Sequence, residues 1–317
     1  DRAKIPGFYL DNYETDKLLN KIGAQHKKIY KPRLISDPQF GTPENDLENY
    51  GSYVTQAAGY LNDPQLATKN LVDACTKFSD EHQIKDKAEF VFGKEVVKIG
   101  VENQKGNGKH EVKHLTLNDG QKIYVDKILN AAGPENKLID ELVFSQNNLV
   151  SDSKINTRVL RQEVTFVPAP KNINFKKYPY MLMADCDNGV YTRPEVSTNK
   201  LVIANFESEC DELPYFDNIN DIDYNLSEAS TSNIYRAALR FPNLPIPTSK
   251  NLQGIVSCYD VSDDWMPIYD KSNVKGYYLA YGTSGNQFKN AGVIGKIMAK
   301  IITEGEIDHD VQPLNRV

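Results

Sequence analysis

Apolar and polar residues alternate along the chain in short blocks, some with the two-residue period of a strand and some with helical spacing. The clearest helix is predicted to begin at Asp63-Pro64, because Asp suits the N-cap and Pro suits the first helical position. A second helix is predicted over residues 226–239. The first helix has an apolar stripe formed by Leu66, Leu71, Ala74, Cys75 and Phe78.

Several blocks have the pattern of strands, and most of residues 155–260 share it. The segment Asn118-Asp119-Gly120 is a strong hairpin signal between two of these blocks. Strands and helices therefore alternate without internal repeats, which predicts an α/β (α+β) fold. The strands predicted in the first half of the chain cover residues 90–92, 95–101, 112–117 and 122–125.

The most informative segment is an apolar strand over Tyr277–Tyr281 that runs into the turn Gly282-Thr283-Ser284-Gly285. Such a turn leaves backbone N–H groups unpaired, and the positive end of a following helix adds to them. The turn is suited to an anion or an electron-rich ring oxygen, or it is a tight turn that binds nothing. The following helix is predicted from the apolar positions Val293, Ile294, Ile297, Met298, Ile301 and Ile302.

A second candidate contact lies where the strand at residues 127–130 ends in Ala131, Ala132 and Gly133. A planar or phosphorylated ligand approaches a backbone only where no side chain intervenes. Open α/β sheets bind ligands at the carboxyl ends of their strands. Small residues here also permit plain packing of a helix on the strand, so this segment alone leaves both interpretations open.

Composition limits the classes of protein that fit. The chain has 317 residues, 40% of them hydrophobic, which is enough for a substantial core and for two domains. A net charge of −6 argues against a nucleic-acid partner, and no apolar run is long enough to span a membrane. Four dispersed cysteines predict neither a zinc site nor a disulfide framework, and no other metal site is predicted. An intracellular protein is expected, cytoplasmic rather than mitochondrial.

Eight segments carry a family resemblance, and their order along the chain is stronger support than any one of them. Together they resemble the FAD-dependent oxidoreductases of the D-amino-acid-oxidase superfamily, in the branch of sarcosine oxidase, glycine oxidase and dimethylglycine dehydrogenase. The segments are GYLNDP (59–64), EVVKI (95–99), VDKILNAAG (125–133), LRQEV (160–164), DNGVYTRPE (187–195), YDVSDD (259–264), GTSGNQFK (282–289) and the terminal residues 308–316.

The resemblance implies a partial FAD-binding Rossmann-like domain interleaved with a mainly antiparallel β-sheet substrate domain. The G-x-G-x-x-G turn that binds the FAD pyrophosphate in this family does not occur in the sequence. Truncation, a partner chain that supplies this segment, or loss of FAD binding would each account for this. FAD is therefore expected with the full-length protein and weakly with this chain alone. The implied substrate-domain segments are 1–58 and 153–262, and the FAD-binding segments are 59–152 and 263–317.

The resemblance also assigns residues to the cofactor. In the family, the backbone at the position of Val96 contacts the adenine, and the strand end formed by Ala131, Ala132 and Gly133 follows the dinucleotide. The later turn contacts the pyrimidine edge of the flavin, where negative charge develops on reduction. The implied residues of this turn are Gly282, Thr283, Ser284, Gly285, Asn286, Gln287 and Phe288.

Four residues are implied at an amino-acid-like, small-molecule substrate. Lys289 matches a lysine that binds the substrate carboxylate; its alternative is a surface lysine. Tyr191 and Tyr259 match tyrosines that line the pocket above the flavin; their alternative is a half-buried place in a sheet. Arg193 shares a strand face with Tyr191 and is either a second carboxylate ligand or part of a salt bridge.

The implied reaction transfers hydride to FAD from the amine carbon of an amino acid or N-methyl amino acid. Val202 stands where oxygen-activating oxidases of the family carry a lysine, which favours a dehydrogenase. Lys200 lies two residues earlier, so it takes the place of that lysine only if the alignment with the family is shifted. The alternatives are oxidation of a 2-hydroxy acid or glycerol phosphate, and a non-catalytic, partner-dependent subunit.

Overall fold

The computed structural model describes residues 6–44, 51–56, 59–61, 63–85, 87–103, 108–153, 155–171, 173–179 and 181–305. Among them, no helix has both the length and the apolar character needed to cross a membrane. The α-helices are α1 (Asn12–Lys21), α2 (Pro64–Glu81), α3 (Asn136–Val143), α4 (Glu228–Arg240) and α5 (Ala291–Glu304).

The strands of the described residues, with the helices above, give the mixed α/β class predicted from the sequence. They are β1 (Gly7–Leu10), β2 (Ser52–Thr55), β3 (Val96–Asn103), β4 (His110–Leu117), β5 (Lys122–Tyr124), β6 (Ile128–Asn130), β7 (Thr157–Pro168), β8 (Met183–Asp185), β9 (Val190–Glu195), β10 (Lys200–Asn205), β11 (Tyr215–Phe216), β12 (Gly254–Ser262), β13 (Ile268–Lys271) and β14 (Tyr277–Tyr281).

The chain forms two compact units, each made of three separate segments. Unit 1 comprises Asp1–Glu89, Glu163–Leu213 and Tyr224–Val256. Unit 2 comprises Phe90–Gln162, Pro214–Asp223 and Ser257–Val317.

Unit 1 is built on an antiparallel sheet in which β10 lies between β7 and β9, and β9 pairs in turn with β8. The apolar run at the centre of β10 is buried, with Leu201 and Ile203 fully covered. Helix α4 contributes Ile234 and Ala237 to the same core. Buried and partly exposed residues alternate along β9 and over part of β7, whereas β10 has a continuous buried run. This pattern accounts for a sheet that is buried on both faces at its central strand.

Helix α4 also buries two arginines in unit 1. Arg240 pairs through Nε with Asp185 at 2.8 Å and through Nη2 with Asp187 at 2.9 Å. Arg236 pairs with Asp211 at 2.8 Å. Both guanidinium groups are paired and hydrogen-bonded, as a buried charge requires.

Unit 2 contains a short sheet in which β14 lies between β13 and β6. The β14–β6 pair is parallel, with Tyr277 opposite Ile128, and β13 runs antiparallel to β14. A separate antiparallel sheet is formed by β3, β4 and β5. Ile99, Val112 and Leu279 are among the buried residues of the core of this unit, and α5 packs on β13 and β14 through Met298 and Ile301.

Most predicted elements are confirmed. β14 has the predicted bounds, the hairpin joins β4 to β5, and Asp63 caps α2 by accepting a hydrogen bond from the Leu66 amide at 2.8 Å. The apolar stripe of α2 is exposed, however, with Leu71 at 59% and Phe78 at 55%.

The strand predicted at residues 90–92 is wrong, because these residues are not in a strand and Phe92 is 80% exposed. A run of apolar residues forms a strand only where a partner strand satisfies its backbone. Asn62 and residues 308–316, which belong to segments of the family resemblance, lie outside the described residues, as do residues 105–107 of a turn predicted between two strands.

Candidate functional site

The predicted turn after β14 has a left-handed backbone at three residues. Gly282 has a φ of +66°, Ser284 of +48° and Gly285 of +70°. The Ser284 amide donates to the carbonyl of Asp260 at 2.8 Å, and the Asn286 amide donates to the carbonyl of Thr283 at 3.1 Å. We call residues 282–288, which the family resemblance assigns to the pyrimidine edge of a flavin, the flavin-edge turn.

A 3-10 turn at Phe288–Asn290 separates the flavin-edge turn from α5, so the helix does not begin directly at the glycines as predicted. Within the 3-10 turn, the Asn290 amide donates to the carbonyl of Gln287 at 2.8 Å. The amides of Phe288 and Lys289 precede it and have no acceptor inside the turn or helix. Lys289 thus lies in the 3-10 turn, where its side chain is exposed and forms no salt bridge with the described residues.

Gly285 lies directly against the ring of Tyr259. A Cβ atom at position 285 would come within 2.4 Å of Cε2 of that ring. The positive φ and the close approach both require glycine here. The structure therefore places one of the two predicted pocket tyrosines against the flavin-edge turn.

A cleft of about 400 Å³ opens beside this turn in unit 2. Its walls are mainly apolar, with few polar groups, which is typical of sites for organic ligands. Burial, with a smaller effect of the Asp260 carboxylate, raises the pKa of Tyr269 to about 12. The residues that line the cleft are Tyr269, Ala280, Thr283, Gly285, Gln287, Phe288, Ala291 and Ile294.

Asp260 is a buried acid at the edge of this region that the sequence analysis missed. Its side chain is covered, with 3% of the residue exposed, and Oδ1 accepts a hydrogen bond from the Thr283 hydroxyl. Oδ2 has no hydrogen-bond partner among the described residues. The sequence signal was an acidic residue between Tyr259 and Val261 in a strand with several apolar positions.

The strand end after β6 is the second predicted cofactor contact in unit 2. Asn130 is the last residue of β6, and its side-chain oxygen accepts a hydrogen bond from the Ala132 amide at 3.2 Å. Gly133 has a φ of +57°, and a Cβ there would meet nothing within 4 Å. The backbone at Gly133 is therefore not covered by other residues of the described part of the chain, and the contact of Ala131, Ala132 and Gly133 with a cofactor stays a prediction.

Val96 begins β3 and pairs with Leu117. Its partly buried side chain packs against the core of unit 2. The structure thus places Val96 in the β3–β4–β5 sheet, apart from the β13–β14–β6 sheet that carries the other predicted cofactor contacts.

Tyr191 and Arg193 lie on β9 in unit 1, whereas Tyr259 and Lys289 belong to unit 2. Burial raises the pKa of Tyr191, and the nearby Arg193 charge opposes this. The guanidinium of Arg193 lies 5.0 Å from the centre of the Tyr60 ring and 3.7 Å from a carboxylate oxygen of Glu195. These contacts match the salt-bridge alternative for Arg193.

The chemistry of the cleft fits the pyrimidine edge of a flavin. That ring edge carries two carbonyl acceptors and one N–H donor. The chain offers amide donors at the start of the 3-10 turn, beside a cleft whose walls are mainly apolar. The flavin-edge turn and the strand end at Ala131 are thus the residues that would hold FAD.

Comparison with known proteins agrees with this fit. The sequence profile of the FAD dependent oxidoreductases (DAO) matches residues 5–301. Among solved structures, the chain is similar to L-proline dehydrogenase from P. horikoshii, with 18% identity, a TM-score of 0.67, and coverage of 99% of this chain and 69% of that chain. It is also similar to glycine oxidase from Geobacillus kaustophilus, with 16% identity, a TM-score of 0.62, and coverage of 100% and 68%.

Fructosamine oxidase from Aspergillus fumigatus is a further neighbour, with 14% identity, a TM-score of 0.60, and coverage of 97% of this chain and 65% of that chain. No curated protein sequence matches the chain. At these identities the structural likeness shows the fold alone, whereas the family profile spans most of the sequence. The chain therefore belongs to the DAO family of FAD-dependent oxidoreductases.

Proposed function

We propose that this oxidoreductase removes hydride from the amine carbon of an amino acid or an N-methyl amino acid. The observation that carries the proposal is the flavin-edge turn, where Gly285 lies against the ring of Tyr259 and an apolar cleft opens beside the turn. Lys289 follows within four residues, is exposed, and forms no salt bridge with the described residues. An exposed cation beside a mainly apolar cleft suits a carboxylate substrate and a redox cofactor.

The proposed contacts with the cofactor rest on the family resemblance and on the backbone of the turn and of the strand end described above. FAD accepts the hydride when it is bound. The amides of Phe288 and Lys289 would stabilise the negative charge that reduction places on the pyrimidine edge. The strand end from Ala131 to Gly133 and the backbone of Val96 would follow the rest of the dinucleotide. The FAD-binding segments 59–152 and 263–317 predicted from the sequence are part of this proposal.

The substrate roles begin with Lys289, which would bind the carboxylate. Tyr259 would line the substrate pocket beside the flavin-edge turn, and the same role for Tyr191 stays a prediction from the family resemblance. Arg193 is the weakest member of this set, because Glu195 and Tyr60 already contact its guanidinium. Three structural neighbours have names that refer to proline, glycine and fructosamine, and all three compounds are amines. This supports an amine as the substrate class here.

A dehydrogenase is proposed over an oxidase because of β10. Val202 is 1% exposed and apolar, so it provides no cation for the reaction with oxygen. The neighbouring Lys200 is engaged, since its Nζ donates to the side-chain oxygen of Gln253 at 2.5 Å.

The proposal is tested by the visible absorption spectrum of the purified full-length protein after addition of FAD and removal of the unbound FAD. We expect a flavin spectrum, and we expect it to bleach without oxygen when amino acids or N-methyl amino acids are added. Matched 2-hydroxy acids serve as the control series. A protein that stays colourless with excess FAD, or that bleaches only with the hydroxy acids, would refute the proposed reaction.

A further inference from the structure

Asp140 of α3 accepts hydrogen bonds from both sides of its carboxylate. The hydroxyl of Tyr277 donates to Oδ1 at 2.6 Å, and the hydroxyl of Tyr281 donates to Oδ2 at 2.9 Å. The side-chain amide of Asn130 also donates to Oδ1, at 3.0 Å. One acidic side chain thus joins a helix, the last residue of β6 and both ends of β14.

On one side, this network reaches the strand end of the candidate site. The Asn130 amide donates to the carbonyl of Asn136 at 2.9 Å as well as to Asp140, so its orientation is fixed. The side-chain oxygen of the same Asn130 then accepts the hydrogen bond from the Ala132 amide. The backbone at Ala132 is therefore held through one side chain by Asp140.

On the other side, the network reaches the flavin-edge turn. Tyr281 is the last residue of β14 and directly precedes Gly282. Its hydroxyl bond to Asp140 therefore holds the strand at the point where the left-handed backbone begins. Tyr281 and Asn130 are 4% and 2% exposed, so bulk solvent does not reach them and the carboxylate is the acceptor that the fold provides.

A network of this kind costs stability if one member is removed, because the remaining polar groups lose their partners without regaining water. An apolar residue at position 140 would accept none of these three hydrogen bonds. It would not fix the direction of either phenol or of the Asn130 amide. The role of the Asp140 carboxylate is therefore to orient these three donor groups, and not to fill space in the core.

We infer that Asp140 is a positioning residue that fixes the strand end at Ala131–Gly133 relative to the flavin-edge turn, so that both meet the same cofactor. The cofactor part of this inference rests on the proposed function. The part that concerns the backbone rests only on the hydrogen bonds between Asp140, Asn130 and Tyr281.

Hydrogen–deuterium exchange of the FAD-free protein tests the backbone part. In Asp140→Ala we expect the amides of Ala132, Ser284 and Asn286 to exchange about tenfold faster than in the wild type, the effect of losing one net hydrogen bond. Val143→Ala is the control, because Val143 is a buried core residue on the same helix and lies outside the network. It should change these three amides by less than about twofold.

A second variant keeps the test decisive if Asp140→Ala does not fold. Tyr281→Phe removes only the hydrogen bond from the Tyr281 hydroxyl to Asp140. It should therefore speed exchange of the Ser284 and Asn286 amides and leave the exchange rate of the Ala132 amide nearly unchanged. Equal rates in the wild type and Tyr281→Phe, or equal acceleration by Val143→Ala, would overturn the inference.

Titration with FAD tests the cofactor part. We expect the Kd for FAD to rise about tenfold in Asp140→Ala and to change little in Val143→Ala, and only Asp140→Ala to shift the visible flavin spectrum. An unchanged Kd and spectrum in Asp140→Ala would overturn the cofactor part. Failure of the wild type to bind FAD would instead refute the proposed function, while the exchange data still decide whether Asp140 positions the two segments.

Discussion

At the scale of single residues, the candidate site depends on a glycine that has no room for a side chain and on a cation that has no salt bridge among the described residues. Gly285 combines a positive φ with contact to the Tyr259 ring. Lys289 follows it on an exposed turn and has no salt bridge among the described residues. The first property shapes the site and the second gives it a charge, so the two can be tested separately.

Gly285→Ala should destabilise the protein by at least about 1–2 kcal/mol, because alanine is strained at this φ and its Cβ clashes with Tyr259. Chemical denaturation measures this change. Gly295→Ala is the matched control, since it lies in α5, where a Cβ meets nothing within 4 Å. The control should stabilise the protein by about 0.5–1 kcal/mol. Equal stability of the two variants would show that the turn relaxes at no cost.

Lys289→Met should lower kcat/KM by one to two decades, because a charge-assisted hydrogen bond to a substrate carboxylate contributes about 1.5–3 kcal/mol. Steady-state kinetics measures the effect, and the flavin content should stay constant. Lys296→Met, an exposed lysine further along α5, is the control and should behave like the wild type. If both variants keep full activity, Lys289 is an ordinary surface lysine.

At the scale of elements, α4 is the helix of unit 1 whose buried face carries charge. Arg240 contacts two aspartates near the β8–β9 turn and also donates to the carbonyl of Lys28 at 2.5 Å. The helix is thereby fixed at a defined height along the sheet, which apolar contacts alone do not ensure.

Arg240→Met should destabilise the protein by about 3–5 kcal/mol, because it leaves the buried carboxylate of Asp185 without its cation. Urea denaturation is the measurement. Lys69→Met removes an exposed ion pair with Asp73 on α2 and is the control, with an expected cost of about 0–1 kcal/mol. A loss for Arg240→Met that is no larger than that of the control would mean that the buried pair contributes no more than a surface pair.

Helices and strands were predictable where a few neighbouring residues in the sequence mark their beginning or end. The cap at Asp63 and the glycines after Tyr281 are such signals, and α2 and β14 were predicted from them. The strand at residues 90–92 failed because an apolar run does not show whether a partner strand exists. The hydrogen bond between Asn130 and Tyr277 joins residues 147 positions apart. Nothing in a single sequence pairs such residues, so Asp140 and Asp260 escaped the sequence analysis.

At the scale of the whole molecule, the decisive property is the acceptor of the electrons. We expect turnover with an artificial dye or a quinone to exceed turnover with dissolved oxygen. The reason is that Val202 offers no positive charge to stabilise the negative charge that develops on oxygen. Parallel assays of dye reduction and oxygen consumption, with the same substrate and enzyme, measure the ratio. Faster oxygen consumption with stoichiometric peroxide would identify an oxidase and point to Lys200 or another cation.

The parallel pairing of β6 with β14 has a consequence for synthesis of the protein in the cell. A ribosome that adds roughly 5–20 residues per second completes β14 about 7–30 s after β6. During that interval the nascent chain exposes an unpaired strand edge and an incomplete core, and both promote association with other chains. Chaperones that shield the growing chain should therefore raise the yield of folded protein.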